Sequence, residues 1–343
     1  MSKRQTLKLH RWLGIVLLLP LLLQTITGLM LVYKWPLAQW LDPIGMQRAT
    51  TGANSSAGLI VERATATWEQ RQLQRLYFPE SKTGTFFLVL QNRAGEKRYA
   101  SVDPGSGEVL REGSRWQFPV EAALQLHFQP LPGRLGNSLV LLTGCGVLLL
   151  AGVGVVAWWP REGRWRKSLV LRRGLRTRLM LRQIHRSLGI LLLPVLLTIA
   201  TTGSLMALEI VLQDAATVSS TPDLPAPPPT GARVDAAIDL ARTVVPSARL
   251  RDISFPDGRI KVLFHAPEVN GRTVHSVLLG GKPLRIMKYL PAQENSAWWT
   301  TLLPVHSGDY LAPWGNWIAL GTGFLILLLA SLGALLQLPE RTR

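Results

Sequence analysis

Residues 10–33 read HRWLGIVLLLPLLLQTITGLMLVY, and residues 185–212 read HRSLGILLLPVLLTIATTGSLMALEIVL. Both open on His-Arg-x-Leu-Gly-Ile, and both place a Thr-Gly pair (Thr27-Gly28, Thr202-Gly203) at the same distance beyond the histidine. Apart from that opening arginine, each is almost free of charge; at about 1.5 Å per residue each spans roughly 30 Å or more, the thickness of a bilayer core. Two further runs of this kind are Ser138–Trp159 and Trp317–Leu338. These are also a matched pair. His127 is followed by Gly136-Asn137 and Thr143-Gly144, and His306 by Gly315-Asn316 and Thr322-Gly323. The offset between halves is 175 residues for His10 and His185 and 179 for His127 and His306. The chain is an internal duplication of a span–segment–span unit.

Composition agrees. Of 343 residues, 47% are hydrophobic and only 17% charged, against about 25% charged in ordinary soluble domains. A soluble enzyme is excluded. The 38 Lys and Arg against 21 Asp and Glu are unevenly placed. Lys3, Arg4, Lys8 and Arg11 precede the first run; Arg161, Arg164, Arg166, Lys167, Arg172, Arg173, Arg176, Arg178, Arg182 and Arg186 fill the middle loop beside one acid, Glu162; Arg341 and Arg343 end the chain. The excess of cations flanking short loops puts both termini and the middle loop in the cytoplasm of a bacterial inner membrane. Topology and anionic lipid head groups account for the charge, and no motif points to nucleic acid. The first apolar run is too long for a signal peptide and reads as a retained anchor. Cys145 is the sole cysteine and lies inside the second run, so disulfides and a CxxCH haem attachment are excluded.

The expected fold is a membrane α+β protein with four transmembrane helices and two small periplasmic α+β modules. The divisions are 1–35 (first span and cytoplasmic N-terminus), 36–136 (first module), 137–159 (second span), 160–187 (basic loop), 188–212 (third span), 213–316 (second module) and 317–343 (fourth span and tail). In the first module a helix over Ala57–Arg71 precedes strands Gln74–Phe78, Thr85–Gln91, Lys97–Val102 and Glu108–Leu110, with Asp103-Pro104-Gly105-Ser106-Gly107 as the turn before the last. In the second, a linker with Pro222, Pro225, Pro227, Pro228 and Pro229 leads to a helix near Val234–Val244 and strands Leu250–Phe255, Ile260–His265 and Arg272–Leu279. The last two strands turn at Asn270-Gly271, which would let His265 and His275 face each other as two ligands of a metal site.

Four of the six histidines belong to the duplication. A single membrane-flanking histidine is ordinarily an interfacial side chain. Two halves related by a pseudo-twofold instead bring two histidines to each face, and two facing imidazoles are what a six-coordinate b-type haem requires. His10 and His127 are separated by a membrane crossing, so the pairs are His10 with His185 on the cytoplasmic side and His127 with His306 on the periplasmic side. Each pair would hold one non-covalent haem. Arg11 and Arg186 follow the cytoplasmic histidines, either as propionate partners or as positive-inside anchors. Arg134 could do the same for the periplasmic-side haem, although the second half offers no matching Arg. Gly28, Gly203, Gly144 and Gly323 suit the close approach of another helix or of a porphyrin face, with helix packing the ordinary reading. Trp116, Trp298, Trp299 and Trp314 suit a membrane-interface belt. No dinucleotide, P-loop or flavin motif occurs, so the electrons come from another molecule.

The His-Arg-x-Leu-Gly openings, the turn Val102–Val109 and the His-x8-Gly-Asn stretches resemble the PepSY-associated transmembrane family, and within it the FoxB-type iron-regulated ferrisiderophore reductases. The resemblance implies haem ligated by His10, His127, His185 and His306, and reduction of a periplasmic Fe(III)-siderophore by electrons from a cytoplasmic or quinol donor. The second module departs from the pattern, with Leu278-Leu279-Gly280-Gly281-Lys282-Pro283 where an acidic turn would stand. Two other functions fit the same sequence: a non-redox regulatory or binding protein, and a quinol-linked haem b electron-transfer subunit.

Overall fold

The computed structural model describes residues 2–339 apart from 161–164, 173, 217–229, 271 and 295–297. The proline-rich linker, Gly271 of the expected turn, and Arg161, Arg164, Arg173, Arg341 and Arg343 lie outside the described residues. In chain order the elements are α1 (Lys3–Val32), α2 (Lys34–Leu41), α3 (Pro43–Met46), α4 (Ala57–Thr67), β1 (Arg71–Tyr77), β2 (Phe86–Asn92), β3 (Lys97–Val102), β4 (Val109–Gly113), α5 (Pro119–Phe128), α6 (Arg134–Trp158), α7 (Trp165–Leu169), α8 (Thr177–Ala216), α9 (Gly231–Arg242), β5 (Leu250–Ser254), β6 (Ile260–His265), β7 (Val274–Gly280), β8 (Arg285–Leu290), α10 (Trp298–Ser307) and α11 (Gly315–Leu335). They form two compact units.

The helical unit contains the four apolar runs as α1, α6, α8 and α11, each long and apolar enough to cross a membrane. Among the described residues, α1 packs against α6 and α11, and α8 packs against the same two. Small residues allow these approaches. A Cβ on Gly323 would come within 2.5 Å of Leu29, one on Gly144 would meet the Ser204 hydroxyl, and one on Gly146 would lie 2.7 Å from Leu17.

The sheet unit revises the expectation of two separate modules. All eight strands form one antiparallel sheet in the order β4-β3-β2-β1-β5-β6-β7-β8. The two meanders meet at their first strands, where Arg75, Leu76 and Tyr77 pair with Ser254, Ile253 and Asp252. Neither meander has to leave its innermost edge unpaired, and unpaired edges invite misassociation. Period-2 alternation sends Leu76, Leu88, Ile253, Val262 and Phe264 to one face, where α4 and α9 cover them with Ile60, Val61, Val234 and Ile238 in a single core. The helices touch through Gly58 and Gly231, where a Cβ on either would come within 2.4 Å of the other's carbonyl oxygen. The opposite face of the first meander carries an aromatic cluster in which Phe87 lies 5.6 Å from Trp35 and 5.3 Å from Phe118, centroid to centroid.

The register also corrects the His265–His275 reading. His265 pairs with Val274, and His275 with Phe264. This is one residue away from a direct pairing, and a one-residue offset puts the two side chains on opposite faces. His275 instead bonds Glu268 Oε1 at 2.7 Å and accepts the Ala292 N–H at 3.1 Å. His265 sits 3.4 Å from Glu80 Oε1. They do not form a metal pair.

Candidate functional site

The four duplicated histidines come together in the pairs that topology suggested, all within the helical unit. His10 on α1 faces His185 on α8 with ring centroids 6.3 Å apart. His127 on α5 faces His306 on α10 at 6.4 Å. Eighteen residues of α1 separate His10 from Gly28, the residue against which His127 packs. At the rise of an α-helix this is roughly 27 Å between the two pairs.

Each imidazole is oriented through Nδ1. In His10 it lies 3.2 Å from the Leu150 carbonyl oxygen, and in His185 3.1 Å from that of Leu329. In His306 it lies 3.1 Å from the Ile199 carbonyl and 3.1 Å from Thr202 Oγ1. His127 bonds the Gln24 backbone and approaches Thr27 Oγ1 at 3.0 Å. A carbonyl can only accept, so Nδ1 carries the proton. The threonine hydroxyls already donate to Leu23 at 2.6 Å and Thr198 at 2.7 Å, which leaves their lone pairs to accept from the ring. Nε2 is then left with a lone pair. Nδ1–H on a backbone acceptor with Nε2 unprotonated is the arrangement of a metal-ligating histidine. Burial first, and then the facing His306, push the His127 pKa down to about 4, which keeps that lone pair available near neutrality.

A glycine stands behind every ring. A Cβ at Gly154 would lie 3.0 Å from Cε1 of His10, and at Gly333 3.2 Å from that of His185. The corresponding distances are 3.2 Å for Gly28 and His127, and 3.0 Å for Gly203 and His306. Gly28 and Gly203 are two of the four small residues that suit the close approach of a helix or of a porphyrin face, and each stands against an imidazole. Gly154 and Gly333 were missed, although their separation of 179 residues is the offset already shown by His127 and His306.

The separation of the rings can be tested against a shared metal. With a metal–nitrogen bond of about 2 Å and a ring centroid about 1.1 Å behind its nitrogen, two imidazoles that shared one metal would have centroids no more than roughly 6.2 Å apart. The separations of 6.3 and 6.4 Å lie at that limit. A second observation concerns Arg186 and Trp158. Arg11 Nε donates to Gln337 Oε1 at 3.0 Å. The duplication maps Arg11 to Arg186 and Gln337 to Trp158. Arg186 Nε and Trp158 Nε1 are both buried donors without a hydrogen-bond partner among the described residues. Buried donors of this kind call for an acceptor, and a carboxylate such as a haem propionate is one.

The remaining candidates are placed elsewhere. Arg134 is exposed at the start of α6. Trp116 and Trp314 are exposed, as a membrane-interface role requires; the side chains of Trp298 and Trp299 lie outside the described residues. Gly144 and Gly323 serve helix packing. Among the described residues no group of three or more His, Cys, Asp or Glu gathers as a metal site.

No curated protein matches the chain. The description of the PepSY-associated TM region matches residues 7–338, nearly the whole length and all four apolar helices. The chain is a multi-pass membrane protein and belongs to the PepSY-associated transmembrane family.

Proposed function

We propose that the protein is a di-haem reductase of the bacterial inner membrane, with both termini cytoplasmic, that passes electrons from a cytoplasmic or quinol donor to an Fe(III)-siderophore in the periplasm. The observation that carries this reading is the doubled arrangement of imidazoles: two facing pairs, each at the spacing of a shared iron, each ring fixed through Nδ1. His10 and His185 would hold one b-type haem, and His127 and His306 the other. When bound, a bis-imidazole haem supplies a one-electron couple and leaves no coordination position open for oxygen.

The chain's own residues do three things for that chemistry. The carbonyls of Leu150, Leu329 and Ile199 fix the imidazole tautomer and orientation. Thr27 and Thr202 do so a second time at the other pair. Gly28, Gly154, Gly203 and Gly333 give the rings room against neighbouring helices. Reduction converts Fe(III) to Fe(II) in the substrate, and Fe(II) is held more weakly by hard-oxygen siderophores, so one electron releases the iron.

The test is an oxidised and dithionite-reduced visible spectrum of the purified protein with a pyridine haemochrome count. Two b haems per chain are expected, falling to one in His185→Ala and to one in His306→Ala. A colourless preparation from haem-sufficient cells overturns the proposal and favours a non-redox regulatory protein.

A further inference from the structure

One cavity in the sheet unit takes no part in the histidine chemistry. Its volume is about 640 Å³, within the range of roughly 300–1,000 Å³ usual for small-molecule sites. Three segments wall it: the loop after α3 with Arg48, Gly52 and Asn54, the β1–β2 connection from Pro79 to Gly84, and Arg249 just before β5. The walls are tied to one another. The Arg48 N–H donates to the Thr83 carbonyl at 2.8 Å, and Arg249 Nη1 donates to the Glu80 carbonyl at 2.8 Å.

The lining is strongly cationic. Arg48, Lys82 and Arg249 face a single carboxylate, Glu80. Glu80 is already engaged, by Arg249 Nη2 at 2.5 Å and by His265 Nε2 at 3.4 Å. Arg48 spends its donors on neutral oxygens, Asn54 Oδ1 at 2.8 Å and the carbonyls of Gly52 at 2.7 Å and Thr50. Its charge is therefore met by no carboxylate among the described residues. The exposed Lys82 forms no ion pair among the described residues. Two uncompensated cations thus stand on two different walls, with the amide of Asn54 and the hydroxyl of Ser81 between charged neighbours and only Pro79 as an apolar surface.

A single small anion would satisfy one wall and leave the other. A ligand bearing two or more separated carboxylates satisfies both, accepting from the Lys82 ammonium on one wall and, on the other, from the one Arg48 Nη1 N–H not already bonded within the loop. We propose that this cavity binds a compact di- or tricarboxylate. The site lies wholly within the sheet unit and goes beyond the electron-transfer reading without depending on it.

The experiment is isothermal titration calorimetry on the full-length protein in nanodiscs of zwitterionic lipid, with citrate and inorganic phosphate as probes. Saturable citrate binding at one site per chain is expected, weakened at least tenfold in Lys82→Glu and in 0.5 M salt. Lys82 is exposed and remote from the core, so Lys82→Glu should melt with the wild type. Asn54→Asp, which adds a negative charge on the facing wall, is expected to weaken binding in the same direction. The proposal fails if citrate gives no saturable heat at millimolar concentration, if both variants bind it as tightly as the wild type, or if phosphate binds as tightly as citrate. The haem count of the Lys82→Glu protein, measured on the same preparation, reports separately on the reductase reading.

Discussion

Gly154 on α6 stands so close to the imidazole of His10 that a Cβ there would lie 3.0 Å from Cε1. Two residues earlier on the same helix, Gly152 has nothing within 4 Å of its Cβ position. The pair forms an internal control. If the proposed haems are bound, Gly154→Leu drives a branched side chain into the ring and should lower the haem count from two per chain to one, with His127 and His306 retaining theirs. Gly152→Leu should leave both. Equal counts in the two variants would show that the glycine behind the ring is incidental.

Arg186 and Trp158 present buried donors to no described acceptor. If a propionate lies between them, Arg186→Gln removes a positive charge beside one haem and disfavours its reduced state less than its oxidised state is relieved. The midpoint potential of that haem should fall by on the order of 50 mV, close to a tenfold change in its equilibrium, while the other stays within error. A potentiometric titration followed at the α band measures both. No displacement of either potential would assign Arg186 to lipid anchoring alone.

Asp103 is buried at the turn between β3 and β4 and accepts hydrogen bonds from the N–H groups of Ala49 (2.6 Å), Thr50 (3.0 Å), Gly105 (2.8 Å) and Ser106 (2.9 Å), and from the Thr50 hydroxyl. Burial opposes its charge, but these donors prevail and hold the carboxyl well below the usual range. A depressed folded pKa stabilises the fold fully above the unfolded value of about 3.9 and loses that contribution as pH falls toward the folded pKa. Asp103→Asn should therefore cost about 2–4 kcal/mol at pH 7. The gap to the wild type should narrow below about pH 4. Urea melts across that range are the measurement; a gap that widens on acidification contradicts it.

Gly58 and Gly231 hold α4 against α9 backbone to backbone. Gly58→Val places methyl groups where the Gly231 carbonyl stands and should destabilise the sheet unit by about 1–3 kcal/mol, the usual cost of overpacking. Proteolysis in the sheet unit should rise while the haem spectrum is kept. An unchanged melting temperature would mean that the helices re-seat freely.

The parts of this molecule legible in the sequence are those written twice. The matched openings at His10 and His185 and the Thr-Gly pairs beyond them identified the histidine partners, because a duplicated polar residue beside an apolar run stands out against it. Gly154 and Gly333 carry the same 179-residue offset, yet glycine is common in membrane helices and nothing local distinguishes these two. The joining of the meanders was not legible. β1 and β5 pair through backbone groups that every residue carries, and Leu76 and Ile253 have the same apolar character whether their neighbour is another strand or a covering loop. β8 was also missed, because its exposed Arg285, Met287 and Lys288 break the apolar alternation that marks a strand. The His265–His275 error has a similar origin: a loop's length is countable, but the residue at which pairing resumes depends on the loop's conformation.

The β1–β5 seam has an evolutionary reading. Leu76, opposite Leu88 on β2, pairs with Ile253, which stands opposite Val262 on β6 at the same place in the second meander, and Gly58 of α4 meets Gly231 of α9. Contact between equivalent positions is the signature of an isologous interface, the kind a homodimer makes about its twofold axis. In the helical unit likewise, each histidine pair takes one member from each half. A half-length chain therefore holds neither imidazole pair alone and has an open inner strand edge, and two copies restore both at once. Matched residues such as His10 and His185 therefore lie where the two halves meet, whereas Asp103 and Thr50, which bond within one half, have no matched residue in the other.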